Sequence, residues 1–162
     1  MNISRRKSLV AAVAAIPGAA LWSSPSLAQQ KKFVYSGSGG VVADIEVFAR
    51  IAAQAGIPLI VDNTCATPWG CRPFEWGADV VVHSATKFLG GHGNSLGGVI
   101  VESGEFDWSA NDRFPAVAAP CPAYHGLNFY ETFGRFALTA YGRAVALRDL
   151  GPTLSPFNAF MI

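Results

Sequence analysis

The chain has 162 residues, enough for one domain, and its 12 basic and 11 acidic side chains leave a net charge of +1. No basic patch with interleaved aromatic residues occurs, which argues against nucleic acid as a partner. No internal repeat or low-complexity segment stands out.

The N-terminus has its own organisation. Met1 to Lys7 is basic through Arg5, Arg6 and Lys7. Leu9 to Trp22 is an apolar run of 14 residues, and Ser26-Leu-Ala28 is a small-residue cleavage site before Gln29. This three-part order predicts a signal peptide over residues 1–28. Ser4-Arg5-Arg6 followed by Leu9 gives it a twin-arginine character. A membrane anchor needs about 20 apolar residues, and this run is shorter and broken by Pro17 and Gly18. The expectation is export to the periplasm, with no membrane span left after cleavage. Removing 28 of the 162 residues leaves 134, with nine basic against eleven acidic groups and a net charge of −2. Residues 29–39 read as a junction, in which Phe33 to Tyr35 forms a short strand.

From Gly40 onward the pattern is α/β. Asp44 to Ala55 is predicted as a helix, with Ile45, Phe48, Ala49 and Ala52 on one face and Gly56 as its stop. Leu59 to Val61 and Val80 to His83 are near-continuous apolar runs, the pattern of parallel strands buried on both faces. The residues from Ala66 to Ala78 are just long enough for a parallel crossover between them. Val99 to Val101 is a third run, and the glycines before it (Gly90, Gly91, Gly93, Gly97, Gly98) allow an antiparallel return. Trp108 to Ala123, with Pro115, Pro120 and Pro122, reads as an irregular loop. Glu131 to Leu150 is predicted as one long helix with Phe133, Phe136, Ala137, Ala140, Ala144 and Leu147 on one face, ended by Gly151-Pro152. Strands of this kind would leave apolar sheet edges open.

Cys65, Cys71 and Cys121 include no C-x-x-C pair, which argues against zinc. A Cys65–Cys71 disulfide is compatible with export, but free, partly buried thiols are the simpler expectation. His83 reads as a hydrogen-bonded core histidine, and His92 and His125 as loop residues without a ligand partner at metal spacing. The glycine-rich loop lacks the G-x-x-x-x-G-K-[ST] order of a phosphate cradle.

The polar groups at the strand ends carry the functional signal. The run Pro58-Leu-Ile-Val ends in Asp62, and the run Asp79-Val-Val-Val-His-Ser-Ala-Thr-Lys ends with Ser84, Thr86 and Lys87. A carboxylate, two hydroxyls and an amine at adjoining strand ends suit pyridoxal 5'-phosphate (PLP). The amine condenses with the cofactor aldehyde. The carboxylate keeps the pyridine nitrogen protonated, so that the ring acts as an electron sink. The hydroxyls donate to the phosphate.

Several longer runs resemble the Cys/Met-metabolism family of PLP-dependent enzymes. They are Gly40-Val-Val-Ala-Asp-Ile-Glu46, Pro58-Leu-Ile-Val-Asp-Asn-Thr64, Cys71-Arg-Pro-Phe-Glu-Trp-Gly-Ala-Asp79 and His83-Ser-Ala-Thr-Lys-Phe-Leu-Gly-Gly-His-Gly93. Gly97-Gly-Val-Ile-Val-Glu-Ser-Gly104, Tyr124-His-Gly126 and Leu147-Arg-Asp-Leu-Gly151 through Phe160 continue it. Within that family the wording is most similar to the O-acetylhomoserine sulfhydrylases. The resemblance covers about residues 40–162. It implies part of an aspartate-aminotransferase-like large domain, a mostly parallel sheet with flanking helices. It implies γ-replacement on O-acetylhomoserine by sulfide or a thiol, a small amino-acid substrate, a cytoplasmic home and a homo-oligomer. By position, Lys87 matches the Schiff-base lysine, Asp62 the partner of the pyridine nitrogen, and Ser84 and Thr86 the phosphate-contacting hydroxyls. The family's Asn before the segment equivalent to Gly39-Gly40 has no counterpart in Ser36-Gly-Ser-Gly-Gly40. Family members are more than twice as long, so the chain reads as a central piece of such an enzyme. The alternative reading is an inactive, possibly exported, remnant.

Overall fold

The computed structural model describes residues 11–12 and 42–162. The signal peptide and the strand predicted at Phe33 to Tyr35 lie outside the described residues, apart from Ala11–Ala12 (β1). That pair forms an antiparallel ladder with Val42–Ala43 (β2).

Helix α1, Ile45–Ala55, begins where Asp44 accepts a hydrogen bond from the Val47 amide at 3.1 Å. It ends at Gly56, whose φ of +63° and N–H bonds back to Ala52 and Ala53 close the last turn. The chain then enters β3, Ile60–Asp62, and crosses through a short helix α2, Thr67–Gly70, and a 3-10 turn at Pro73–Trp76 to β4, Val80–Ser84. β3 and β4 run parallel, from Ile60 opposite Val80 to Asp62 opposite Val82. The glycine-rich loop returns the chain antiparallel into β5, Gly98–Glu102, from Ser84 opposite Gly98 to Glu102 opposite Val80. The described sheet, in the order β3-β4-β5, is therefore mixed.

Because successive side chains on a strand point to opposite faces, β4 serves two cores. Val81 joins Ala43, Ile45, Ala52, Leu59, Val61, Cys71, Trp76 and Ala78 on the α1 side. Val80 joins Trp108, Val117, Phe129 and Ala137 on the other. Burial on both faces holds for Val80 and Val81, each 2% exposed, but not for the strands beside them. Ile60 is 50% exposed and Ile100 70%, because β3 and β5 each have only one neighbouring strand among the described residues.

The second core is built by the segment after β5. Trp108 is buried, packed edge-on against Phe106 and Phe114 at 4.8 and 5.4 Å between ring centres. The segment predicted as irregular thus includes a buried anchor and a turn of helix, α3, Pro115–Ala118. The long helix predicted over Glu131 to Leu150 is broken. Helix α4, Phe129–Phe133, stops at Gly134, where φ is +52° and ψ −117°. A 3-10 turn leads to α5, Ala137–Tyr141, and a π-helix over Gly142–Asp149. Two side chains stabilise the pieces. The Glu102 carboxylate accepts from the Thr139 amide at 2.7 Å, satisfying the first turn of α5. The Tyr124 hydroxyl donates to the Ala144 carbonyl at 2.7 Å inside the π-helix and lies 2.8 Å from Asp149 Oδ2. Ala137 is fully buried, whereas Phe136 is 69% exposed, so the predicted single apolar face does not form. Gly151, with φ +81°, does end the run. A last short helix, α6, spans Pro156–Met161. No helix among the described residues is long and apolar enough to cross a membrane.

Candidate active site

The adjoining ends of β3 and β4 bring Asp62 and Ser84 together on one sheet face. Asp62 pairs with Val82, and Ser84, two residues on, projects to the same side. A hydroxyl that sequence reasoning had not singled out joins the two ends. Thr64 is buried, and its Oγ1 donates to Asp62 Oδ1 at 2.5 Å while accepting from the Ser84 amide at 2.8 Å. The Thr64 amide adds a second donor to the same Oδ1 at 3.0 Å. Asp62 is half-buried, and its Oδ2 has no hydrogen-bond partner among the described residues. The Asp-Asn-Thr order carried a signal for Thr64: a hydroxyl two residues after a strand-end carboxylate can fold back on it.

Lys87 follows one turn beyond Ser84, its amide donating to the Ser84 carbonyl at 3.1 Å. The side chain is exposed, and its ammonium has no hydrogen-bond or ion-pair partner among the described residues. Ser84 is half-buried with its hydroxyl similarly free, whereas Thr86 is buried and engaged. Thr86 Oγ1 accepts from the Gly97 amide at 3.0 Å and donates to the Gly97 carbonyl at 3.3 Å, closing the base of the glycine-rich loop. A Cβ on Gly97 would stand 2.5 Å from Ile162 Cδ1 and 3.2 Å from Leu154 Cδ1, so a larger residue there would push the ends of these two side chains aside.

The neighbours of these residues are more passive. Asn63 is buried and donates through Nδ2 to the Cys71 carbonyl at 2.9 Å. His83 is buried, as predicted, but its Nδ1 has no hydrogen-bond partner among the described residues, where a hydrogen-bonded histidine was predicted. Strand alternation turns it to the same face as Val81, among apolar side chains. The cysteines are free, with Cys65 exposed and Cys71 buried. Burial, and then the negative charge of Glu75, push the Cys71 thiol up.

An unpartnered carboxylate oxygen, a free serine hydroxyl and a free amine on adjoining strand ends fit the polar groups of pyridoxal phosphate. Ser84 and Lys87 could supply donors, and Asp62 Oδ2 could supply an acceptor for a protonated ring nitrogen.

Comparison with known proteins points to the same cofactor. The Cys/Met metabolism PLP-dependent enzyme family matches residues 28–162. The chain is 47% identical over 127 residues to O-acetyl-L-homoserine sulfhydrylase from Leptospira meyeri, covering 74% of this chain and 28% of that protein. It is 50% identical over 123 residues to homocysteine synthase from Schizosaccharomyces pombe, covering 75% and 29%. A Campylobacter jejuni chain described as an O-acetylhomoserine (thiol)-lyase, solved with pyridoxyl-lysine monophosphate, superposes with a TM-score of 0.70 at 40% identity, covering 78% of this chain and 31% of that one. The O-acetylhomoserine sulfhydrylase of Wolinella succinogenes superposes at 0.61 with 32% identity, covering 78% and 33%. The chain thus spans under a third of the length of the curated relatives it matches first. Matched along most of its length and sharing the fold of these solved structures, this chain belongs to the Cys/Met metabolism PLP-dependent enzyme family.

Proposed function

We propose that this chain carries the cofactor-holding centre of a γ-replacement enzyme that acts on O-acetylhomoserine with sulfide or a thiol. The observation that carries the reading is the Asp62–Thr64–Ser84 link, which leaves Asp62 Oδ2 without a partner among the described residues and ties it to the strand end three residues before Lys87. Bound pyridoxal phosphate supplies an electron sink for the charge left when a proton leaves the substrate's α carbon. Asp62 Oδ2 would accept from the ring nitrogen and hold its proton there. The Ser84 hydroxyl would donate to the phosphate, while Thr86, whose proton goes to the Gly97 carbonyl, would hold the loop in place. Lys87 Nζ would hold the cofactor covalently and, when free, would move protons along the substrate chain. The acetate leaves from the γ carbon, and the sulfur nucleophile takes its place.

The relatives named above support the substrate class, since they are described as O-acetylhomoserine sulfhydrylase and homocysteine synthase. The test is to incubate the purified chain with the cofactor, reduce with borohydride and map the pyridoxyl label. Label on Lys87, absent in Lys87→Ala, is the expected result. Label spread over Lys31, Lys32 and other lysines would remove the amine from the site. Homocysteine formation from O-acetylhomoserine and sulfide, abolished by the same substitution, tests the reaction itself.

A further inference from the structure

Thr64 does more than finish a turn. The bond from its amide to Asp62 Oδ1 is the ordinary side-chain turn that an aspartate makes with the residue two positions on. Such a turn needs no side chain at the second position. Here the hydroxyl is engaged as well, and it reaches 20 residues along the chain. It gives its one proton to Asp62 Oδ1 at 2.5 Å and receives the Ser84 amide at 2.8 Å. Thr64 itself is only 4% exposed, so the group is held by packing as well as by these bonds.

The geometry points to Thr64 as a positioning residue that aims Asp62 Oδ2 at the cofactor's ring nitrogen and sets the end of β4 ahead of Lys87. This rests on the reading of the site proposed above. Two donors on Oδ1 fix the rotation of the carboxylate and occupy that oxygen, so the only oxygen left for an outside cation is Oδ2. The same hydroxyl pins the Ser84 amide, which lies three residues before Lys87. One side chain therefore couples the direction of the acid on β3 to the position of the hydroxyl and amine on β4. Thr64→Val keeps the shape and β-branching but removes both the donor and the acceptor. Thr64→Ser keeps both.

The test uses the full chain with pyridoxal phosphate carrying 15N in the ring, read by nitrogen chemical shift and by binding titration. The wild-type chain is expected to show a protonated ring nitrogen. Thr64→Val is expected to move that signal toward neutral pyridine and to weaken binding about tenfold, the size of one lost hydrogen bond to a charged group. Thr64→Ser is expected to restore both. In an Asp62→Asn background Thr64→Val should not move the nitrogen signal further, because the acceptor through which it acts on the ring is gone, and any loss of affinity left there reads the bond to the Ser84 amide. A purely structural threonine would lower stability without moving the nitrogen signal. An unchanged nitrogen signal in Thr64→Val would overturn the inference, as would a shift of equal size in the Asp62→Asn background. If Thr64→Val does not fold, Thr64→Ala against Thr64→Ser makes the same comparison. A wild-type chain that takes no label at Lys87 fails before any Thr64 variant is made, and sinks the reading of the site together with the inference.

Discussion

Asp79 illustrates how a single carboxyl can be both used and penalised. Its Oδ2 accepts from the Leu59 amide at 2.8 Å, which aligns the start of β3 beside β4. Partial burial pushes its pKa up, and the amide bond pulls it back only in part. With the folded pKa raised, the folded chain binds this proton more tightly than the unfolded chain. Stability should therefore fall as pH rises from the ordinary carboxylate range through the folded pKa, and then level off. Asp79→Asn keeps an acceptor for Leu59 and has no charge to bury. The variant should be more stable than wild type near neutral pH by a few tenths of a kcal/mol, discounted for the solvent that reaches the group. The gain should vanish at about pH 3. Urea midpoints at both pH values check this, and a neutral-pH midpoint below wild type would show that the charge itself is needed at Leu59. At this scale the sequence was legible where one residue acts through its own position. Asp62 and Ser84 sit at the strand ends where apolar runs give way to polar groups. Thr64 escaped notice, and Gly97 was read only as part of a glycine-rich return, because their bonds reach residues 20 and 11 positions away, which only pairing reveals.

Among the elements, α1 was readable almost to the residue, because Asp44 and Gly56 cap it and its apolar face repeats with the helical period. The helix predicted over Glu131 to Leu150 failed for a physical reason. Over only a turn or two, apolar spacing does not separate α, 3-10 and π geometry, so it cannot reveal that Gly134 adopts a positive φ or that Glu102 and Tyr124 bond to the separate pieces. The pieces are held by packing on Phe129, which is 1% exposed and has the rings of Tyr124 and Tyr141 edge-on at 5.6 and 5.4 Å. Phe129→Ala should cost about 3–5 kcal/mol. Denaturant titration measures it, and a loss below about 1 kcal/mol would mean that α4 and α5 close over the gap.

Over the whole molecule, the division of β4 between two cores was implied by its unbroken apolar run, but which segments would cover each face was not. The open edges were expected, and β5 bears them out: Val99, Ile100 and Val101 are 41%, 70% and 39% exposed. The shared strand has a consequence for cooperativity. Val80 and Val81 are consecutive, so one cluster cannot lose its wall without the other losing its own. Trp76 reports on the α1 side and Trp108 on the opposite side. Variants that keep one or the other as the sole buried tryptophan should unfold at the same denaturant midpoint. Phe129→Ala, though it touches only the second cluster, should lower both midpoints equally. Two clusters on either side of one strand would then melt as a single thermodynamic unit, with β4 as the common partition through which damage on one side is felt on the other.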